Sequence, residues 1–180
     1  MNVEQRLQEI AEKLSKRVDT LSCFACGTCV AACPISRATG AEIYHPRRFV
    51  RTTIEGQARR LLETPELWLC ASCHACLEHC PQKVPVSELI LELHNLACSL
   101  GLAPKDIAAE VENILASGWA LAPSESVNKR REQLGLPPIP LKNRSSKDLV
   151  KIAKATELTK RLKQIKERQE VQAAEAGGDT

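Results

Sequence analysis

The chain has 180 residues, 43% of them apolar and only 3% aromatic, with a formal charge of +3. It can bury a core of Leu, Ile, Val and Ala, and it disfavours a β-sandwich or barrel, whose strands draw on aromatic and β-branched residues. No apolar run approaches the roughly 18 residues of a membrane span, the opening MNVEQRLQEI holds no apolar signal core, and no basic-aromatic patch or recognised motif points to nucleic acid.

Taken in chain order, the elements are helical. Val3, Leu7, Ile10, Leu14, Val18 and Leu21 recur every three or four residues, which predicts an amphipathic N-terminal helix over residues 1–20. A cysteine-rich motif follows at 23–34. Pro46 fits the first turn of the next helix, with Phe49, Val50, Thr53 and Ile54 on one side. Leu61 and Leu62 predict a further turn. Thr64, Pro65 and Glu66 read as an N-cap and first turn leading into a second cysteine motif at 70–81.

The next helix is expected from Val84 to Leu100, with Val86, Ile90, Leu93, Ala97 and Leu100 as its stripe and Gly101 as its end. Pro104 opens another, with Ile107, Val111, Ile114 and Leu115 inward and Gly118 as the stop. Residues 121–144 hold four prolines, Pro123, Pro137, Pro138 and Pro140, and are expected to be largely extended. Ser145 with Asp148 resembles a capping box. It would start a basic C-terminal helix carrying Leu149, Ile152, Thr156, Leu162 and Ile165, before a disordered tail within 145–180. No segment alternates as a strand. The fold class expected is all-α.

The two motifs are an internal duplication. CFACGTCVAACP and CASCHACLEHCP share the spacing C-x2-C-x2-C-x3-C-P. Three thiolates at two-residue gaps let one loop curl around a [4Fe–4S] cubane, while the fourth cysteine points to the neighbouring cluster. The expected ligand sets are therefore crossed. One cluster takes Cys23, Cys26, Cys29 and Cys80. The other takes Cys70, Cys73, Cys76 and Cys33. A cluster domain over 21–120 follows, in which neither site folds alone. Ala25, Gly27, Thr28, Ala71, Ser72 and Ala75 leave room for the cubanes and let backbone N–H groups approach sulfur.

Other uses of the cysteines fit less well. A tetrahedral zinc site takes two C-x2-C pairs and leaves the third cysteine of each run unused. A disulfide framework needs an oxidising compartment, and the expected location is cytoplasmic. Cys98, the ninth cysteine, reads as a buried structural thiol. For His74 and His79 an exposed position is the plainer reading and cluster tuning the sharper one. His45 reads as a turn residue, His94 as a packing residue, and Trp68 as a core residue or a shield for a cluster. The run RRFVRTTIEGQARR is a basic helix, by default a solvated face, in the sharper reading a docking surface.

Charge is uneven. Residues 121–180 hold 13 of the 25 basic and 8 of the 22 acidic side chains. Two clusters of roughly −2 each, ligands included, would bring the first 120 residues to about −6.

At these motifs the chain resembles the C-type subunits of heterodisulfide reductase and their relatives. The resemblance rests on CFACGTCVAACPISR, a helical spacer with HPRRFV, and ELWLCASCHACLEHCPQKVPVSELI, and continues through NLACSLGLAP and GLPPIP over about residues 20–140. It implies an α-helical ferredoxin-like domain with two [4Fe–4S] clusters on the eight cysteines named. It implies a cytoplasmic hetero-oligomer in which a partner carrying flavin and iron–sulfur clusters, the A-type subunit, delivers electrons to this one. A catalytic partner, the B-type subunit, would then receive them and reduce a disulfide such as that of coenzyme M and coenzyme B. No Cys-Cys-Gly element occurs, so the disulfide-cleaving centre of that catalytic partner is not in this chain, and the basic C-terminal helix is no requirement of the family. The expected role is a relay without catalytic residues of its own. A diffusible two-cluster ferredoxin and an iron–sulfur scaffold for protein interaction are the alternatives.

Overall fold

The computed structural model describes residues 23–121, 123–140, Asn143 and 146–176, together with Gln5, Gln8 and Glu9. The apolar stripe from Val3 to Leu21 and the Ser145 capping residue lie outside the described residues. Every regular element among those described is helical. The chain divides into two compact units, Met1–Leu102 and Ala103–Thr180.

In the first unit, α1 (Thr28–Ala31), α2 (Pro34–Thr39), α3 (Pro46–Ile54), α4 (Ala75–Glu78) and α5 (Val86–Ser99) are joined by two 3₁₀ segments, Ala58–Glu63 and Pro65–Leu69. Pro34 and Pro46 stand in the first turns of their helices, where a missing N–H costs nothing. His45, expected as a turn residue, caps α3: its Nδ1 accepts the Arg48 N–H at 3.0 Å. Thr64 does not cap by its side chain. Its hydroxyl donates instead to the Leu61 carbonyl at 2.9 Å.

α5 is the central strut. It buries Val86, Leu89, Ile90, Leu93, Leu96 and Ala97, a wider face than the expected stripe, and Leu100 is only partly covered. Against it pack Phe49 and Val50 of α3 and Leu61, Leu62 and Leu67 of the 3₁₀ segments. Each such buried side chain contributes roughly 1.5–3 kcal/mol of hydrophobic free energy. The cysteine loops sit on this aliphatic core, which fixes where they lie.

In the second unit, α6 (Lys105–Ser117) runs from Pro104 to Gly118, the bounds expected. Gly118 has φ +78°, and a Cβ there would stand 2.6 Å from Asn143 Cβ, so only glycine fits. Ile107, expected inward, is exposed, and Ala108 is the buried residue of that turn. The segment expected to be extended contains a helix, α7 (Glu125–Gln133), capped by the Ser124 hydroxyl accepting from Val127 N. The prolines after it do lie outside regular structure. Asn128 bonds both the N–H and the carbonyl of Ile139, at 2.8 and 3.1 Å, and Arg131 Nε donates to Pro137 O at 2.9 Å. The polar side chains of α7 thus hold the proline strap, a pairing that turn signals alone do not reveal.

The C-terminal helix is two helices, α8 (Ser146–Ala155) and α9 (Leu158–Ala176), broken at Glu157 with φ +58°. The break shifts the register: Ala153, Leu162 and Ile165 are buried while Ile152 is exposed. Residues 166–176, expected to fray, are helical. Lys166 pairs with Glu112 of α6, and Gln169 Nε2 donates to the Ala103 carbonyl at 3.1 Å.

Candidate metal centres

The duplication extends to the backbone. In the first loop Ala25 and Gly27 have φ +54° and +83°; in the second, Ser72 and His74 have +50° and +59°. Each loop then enters a four-residue helix, α1 or α4, through matching bonds. Val30 N–H and Leu77 N–H donate to Gly27 O and His74 O at 2.9 Å each. Cys33 N–H and Cys80 N–H donate to Val30 O and Leu77 O at 3.1 Å each. A non-glycine residue in this conformation costs roughly 1–2 kcal/mol. Three of them across two loops mean that the surroundings impose this curl, as a wrapped ligand would require. α1 and α4 pack on each other, so the fourth cysteine of each motif is carried across to the other loop.

Two cavities result. The first spans about 380 Å³ of empty space, open solvent at its mouth included, and is lined by Cys23, Cys26, Cys29 and Cys80. Val50, Val84 and Val86 form its apolar wall and Arg47 its cationic one. The second spans about 310 Å³ counted the same way and is lined by Cys33, Cys70, Cys73 and Cys76. Its wall is Ile35, Pro46 and Ile90, together with Tyr44, His74 and Ser87. Cys26 and Cys73 are exposed at equivalent positions, while Cys33 and Cys76 are buried.

The electrostatics call for a positive centre. Burial pushes the Cys29 thiol up, helped by the neighbouring Cys23, Cys26 and Cys80. Burial, then Cys70, pushes Cys76 up to about 11. Exposed Cys26 is shifted down, chiefly by the Thr28 hydroxyl at 3.2 Å. Four thiolates around a half-dry cavity repel one another until iron neutralises them. A single ion does not fit. Among the described residues no three His, Cys, Asp or Glu side chains converge as one metal ion requires. Zinc would draw its sulfurs to roughly 4 Å from each other, given bonds near 2.3 Å. Four cysteines around each cavity form an all-thiolate donor set, which suits iron–sulfur chemistry.

Comparison with known proteins agrees. The family model for a 4Fe-4S dicluster domain matches residues 19–84. The chain is 39% identical over 123 residues to the C-type subunit of the ferredoxin:CoB-CoM heterodisulfide reductase of Methanosarcina mazei, covering 68% of this chain and 74% of that protein. It is 33% identical over 129 residues to the C2-type subunit of the H(2)/formate:CoB-CoM heterodisulfide,ferredoxin reductase of Methanococcus maripaludis, covering 71% and 68%. It is 32% identical over 132 residues to the second C-type iron-sulfur subunit of the CoB–CoM heterodisulfide reductase of Methanocaldococcus jannaschii, covering 73% and 69%.

The chain belongs to the family of heterodisulfide reductase C-type subunits. It is an all-α, ferredoxin-like iron–sulfur protein with two [4Fe–4S] clusters, and its class of work is electron transfer. Among the described residues no helix is long and apolar enough to cross a membrane.

The structure brings all eight expected cysteines into two cavities, four to each. Cys98 on α5 is only partly buried and lines neither. His79 is exposed, its Nδ1 2.9 Å from the Ala75 carbonyl. His74 is exposed too, yet it lines the second cavity and its Nδ1 lies 2.9 Å from the Ser87 hydroxyl. His94 packs, stacked on Trp68 with centroids 4.7 Å apart, its Nε2 at 2.7 Å from Leu67 O. That stack ties the lead-in of the second motif to α5. Sequence reading missed Tyr44 and Ser87 and saw Arg47 only as part of a basic run. The signal for Tyr44 was available: it is the one tyrosine of the chain.

Proposed function

We propose that this chain is the electron-relay subunit of a cytoplasmic heterodisulfide reductase-like complex. It would accept electrons from an A-type partner carrying flavin and iron–sulfur clusters and pass them to a disulfide-reducing B-type partner. The ligand sets are crossed, Cys23, Cys26, Cys29 and Cys80 for one cluster and Cys70, Cys73, Cys76 and Cys33 for the other. The observation that carries this reading is the make-up of the two cavities: each draws three cysteines from one motif and the fourth from the other. Membership of a larger complex is supported by the relatives, whose names make them C-type subunits of heterodisulfide reductases. The cytoplasmic setting is supported by nine cysteines of which none is in a disulfide.

Bound [4Fe–4S] clusters supply one-electron redox chemistry at potentials set by charge, hydrogen bonds to sulfur and solvent access. The chain's own residues set those terms. Val50, Val84, Val86 and Ile90 keep water from the inner faces. The Val84 N–H donates to Cys80 Sγ at 3.4 Å, and Arg47 places a positive charge beside the first site. Packing α1 on α4 keeps the two sites adjacent, so an electron entering at one exposed rim, Cys26 or Cys73, has a short path to the other.

The test is purification of the native complex under anaerobic conditions. About eight iron and eight sulfide per chain, an EPR spectrum of two interacting clusters, and co-purifying flavin-bearing and disulfide-reducing partners are expected. A monomer exchanging electrons with many acceptors would replace this reading with a diffusible ferredoxin.

A further inference from the structure

The two loops share a backbone but not the side chain at its tightest turn. The first bends at Gly27, φ +83°, and the second at His74, φ +59°. Each residue stands immediately before a four-residue helix. That conformation strains any residue but glycine, so the second loop gives up stability that the first keeps. Gly27 has no side chain, and Arg47 Nη1 stands 3.9 Å from where its Cβ would lie. His74 has one, and it reaches α5: its Nδ1 lies 2.9 Å from the Ser87 hydroxyl.

Ser87 is 6% exposed, and among the residues that α5 buries it alone is polar. A hydroxyl in that position needs a partner, and the imidazole supplies it. Three residues on, and four more, the same face of α5 carries Ile90 and His94. Ile90 lines the second cavity. His94 Nε2 lies 2.7 Å from the carbonyl of Leu67, in the 3₁₀ segment that leads into Cys70. One stripe of α5 thus meets the second motif ahead of its first cysteine, along its cavity and at its strained turn.

We propose that His74 and Ser87 form a tether that pins the strained turn of the second cysteine loop to α5 and slows the loss of the cluster which that loop holds. His74 is a positioning residue and not a ligand. It acts through the backbone that carries Cys70, Cys73 and Cys76. The inference rests on the assignment of those three cysteines to one cluster in the reading above. It deepens that reading by giving one site a hold on the core that the turn of the other lacks, and it is indifferent to which motif supplies the fourth ligand.

The experiment uses the full chain with both clusters bound, under anaerobic conditions. The EPR signal that Cys73→Ser removes marks the cluster of the second loop, whether or not the fourth ligands are crossed. His74→Gly relieves the strain and removes the ring, and Ser87→Ala removes the other end of the tether. Each should speed iron release from the marked cluster to a chelator about fivefold, the weight of one hydrogen bond. Each should also broaden the EPR signal of that cluster and leave the other cluster unmoved. The double variant should release no faster than either single one. His74→Asn keeps a polar atom at the δ position in a residue that tolerates this turn, and should release iron at the native rate. Release from His74→Gly at or below the native rate would mean that relief of strain outweighs the contact, and overturns the tether. A return to the native rate in the double variant overturns it too, because the two groups would then only satisfy each other. Equal acceleration of both clusters overturns it as a loosening of the whole unit. If His74→Gly fails to hold iron, Ser87→Ala decides alone, by faster or unchanged release from the marked cluster. The crossed sets stand or fall separately, on which signal Cys33→Ser removes.

Discussion

Arg47 Nη1 donates to the carbonyl oxygen of Ala25 at 2.6 Å. The bond joins the first turn of α3 to the middle of the first cysteine loop, at a residue already held at φ +54°. The run RRFVRTTIEGQARR, read from sequence as a solvated face or, more sharply, a docking surface, therefore has one member, Arg47, turned inward as a brace. Two other arginines of the run pair with carboxylates: half-buried Arg48 with Glu66 at 3.6 Å, and Arg51 with Glu55 at 3.0 Å on the surface. An exposed pair such as Arg51–Glu55 contributes little.

Arg47→Met should keep the side chain's packing and lose the bond. A hydrogen bond from a charged donor is worth about 1.5–3 kcal/mol, less here because the site is partly open to water. An effect of about 1 kcal/mol corresponds to a fivefold change. Iron release to a chelator from the first site should be about fivefold faster, with the second site unchanged. Equal acceleration at both sites would show that the brace serves the whole unit rather than one loop.

His45 gives a pH dependence whose sign can be worked out. Its ring accepts from the Arg48 N–H, so it must be neutral to cap α3. Burial, then the charges of Arg47 and Arg48, hold its pKa below the usual 6.5. With the folded value depressed, the cap's contribution is complete above about 6.5 and is lost as pH falls through the lower, folded value. Denaturant midpoints should therefore drop below pH 6.5. His45→Asn, a cap without a charge, should flatten that slope. His45→Ala should cost about 1 kcal/mol at neutral pH.

Much of the fold was legible because its signals are local. Proline at helix starts, Gly101 and Gly118 at helix ends, and the three-to-four spacing on α5 each act within a turn or two. The grouping of the eight cysteines into two sets of four was legible for the same reason, since spacing sets which thiol can face which cavity. What the sequence hid depends on contacts between distant segments. The pairing of Asn128 with Ile139 hides α7 inside a proline-rich stretch. The break at Glu157 moves the buried face from Ile152 to Ala153. Tyr44 and Ser87 reach the second cavity from elements far from its cysteine loop. No periodicity encodes such placements.

Leu93 tests how strongly the aliphatic strut supports the sites. It is wholly buried at the centre of α5, lines neither cavity, and has no polar side-chain atom. Leu93→Ala removes three heavy atoms from a packed core, which costs about 2–5 kcal/mol. Unfolding of the cluster-bound protein should move to lower denaturant by that amount, while the potentials of both clusters stay where they were. A changed potential with unchanged stability would mean that α5 shapes the cavities directly rather than by holding them.

The crossed ligand sets predict reciprocal losses. Cys33 stands immediately before Pro34 in the first motif, yet lines the cavity of the second loop with Cys70, Cys73 and Cys76. Cys80 lines the cavity of the first loop. Cys33→Ser should alter or remove the cluster of the Cys70 loop, and Cys80→Ser that of the Cys23 loop. The remaining cluster should keep its own EPR signal but lose the splitting that comes from a reduced neighbour. Iron should fall from about eight toward about four per chain in each variant where the serine fails to ligate. The pairing can be read without assigning signals in advance. Cys33→Ser must lose the same signal as Cys73→Ser, and Cys80→Ser the same signal as Cys26→Ser. If Cys33→Ser instead matches Cys26→Ser, each motif holds its own cluster, and the packing of α1 on α4 serves stability rather than ligation.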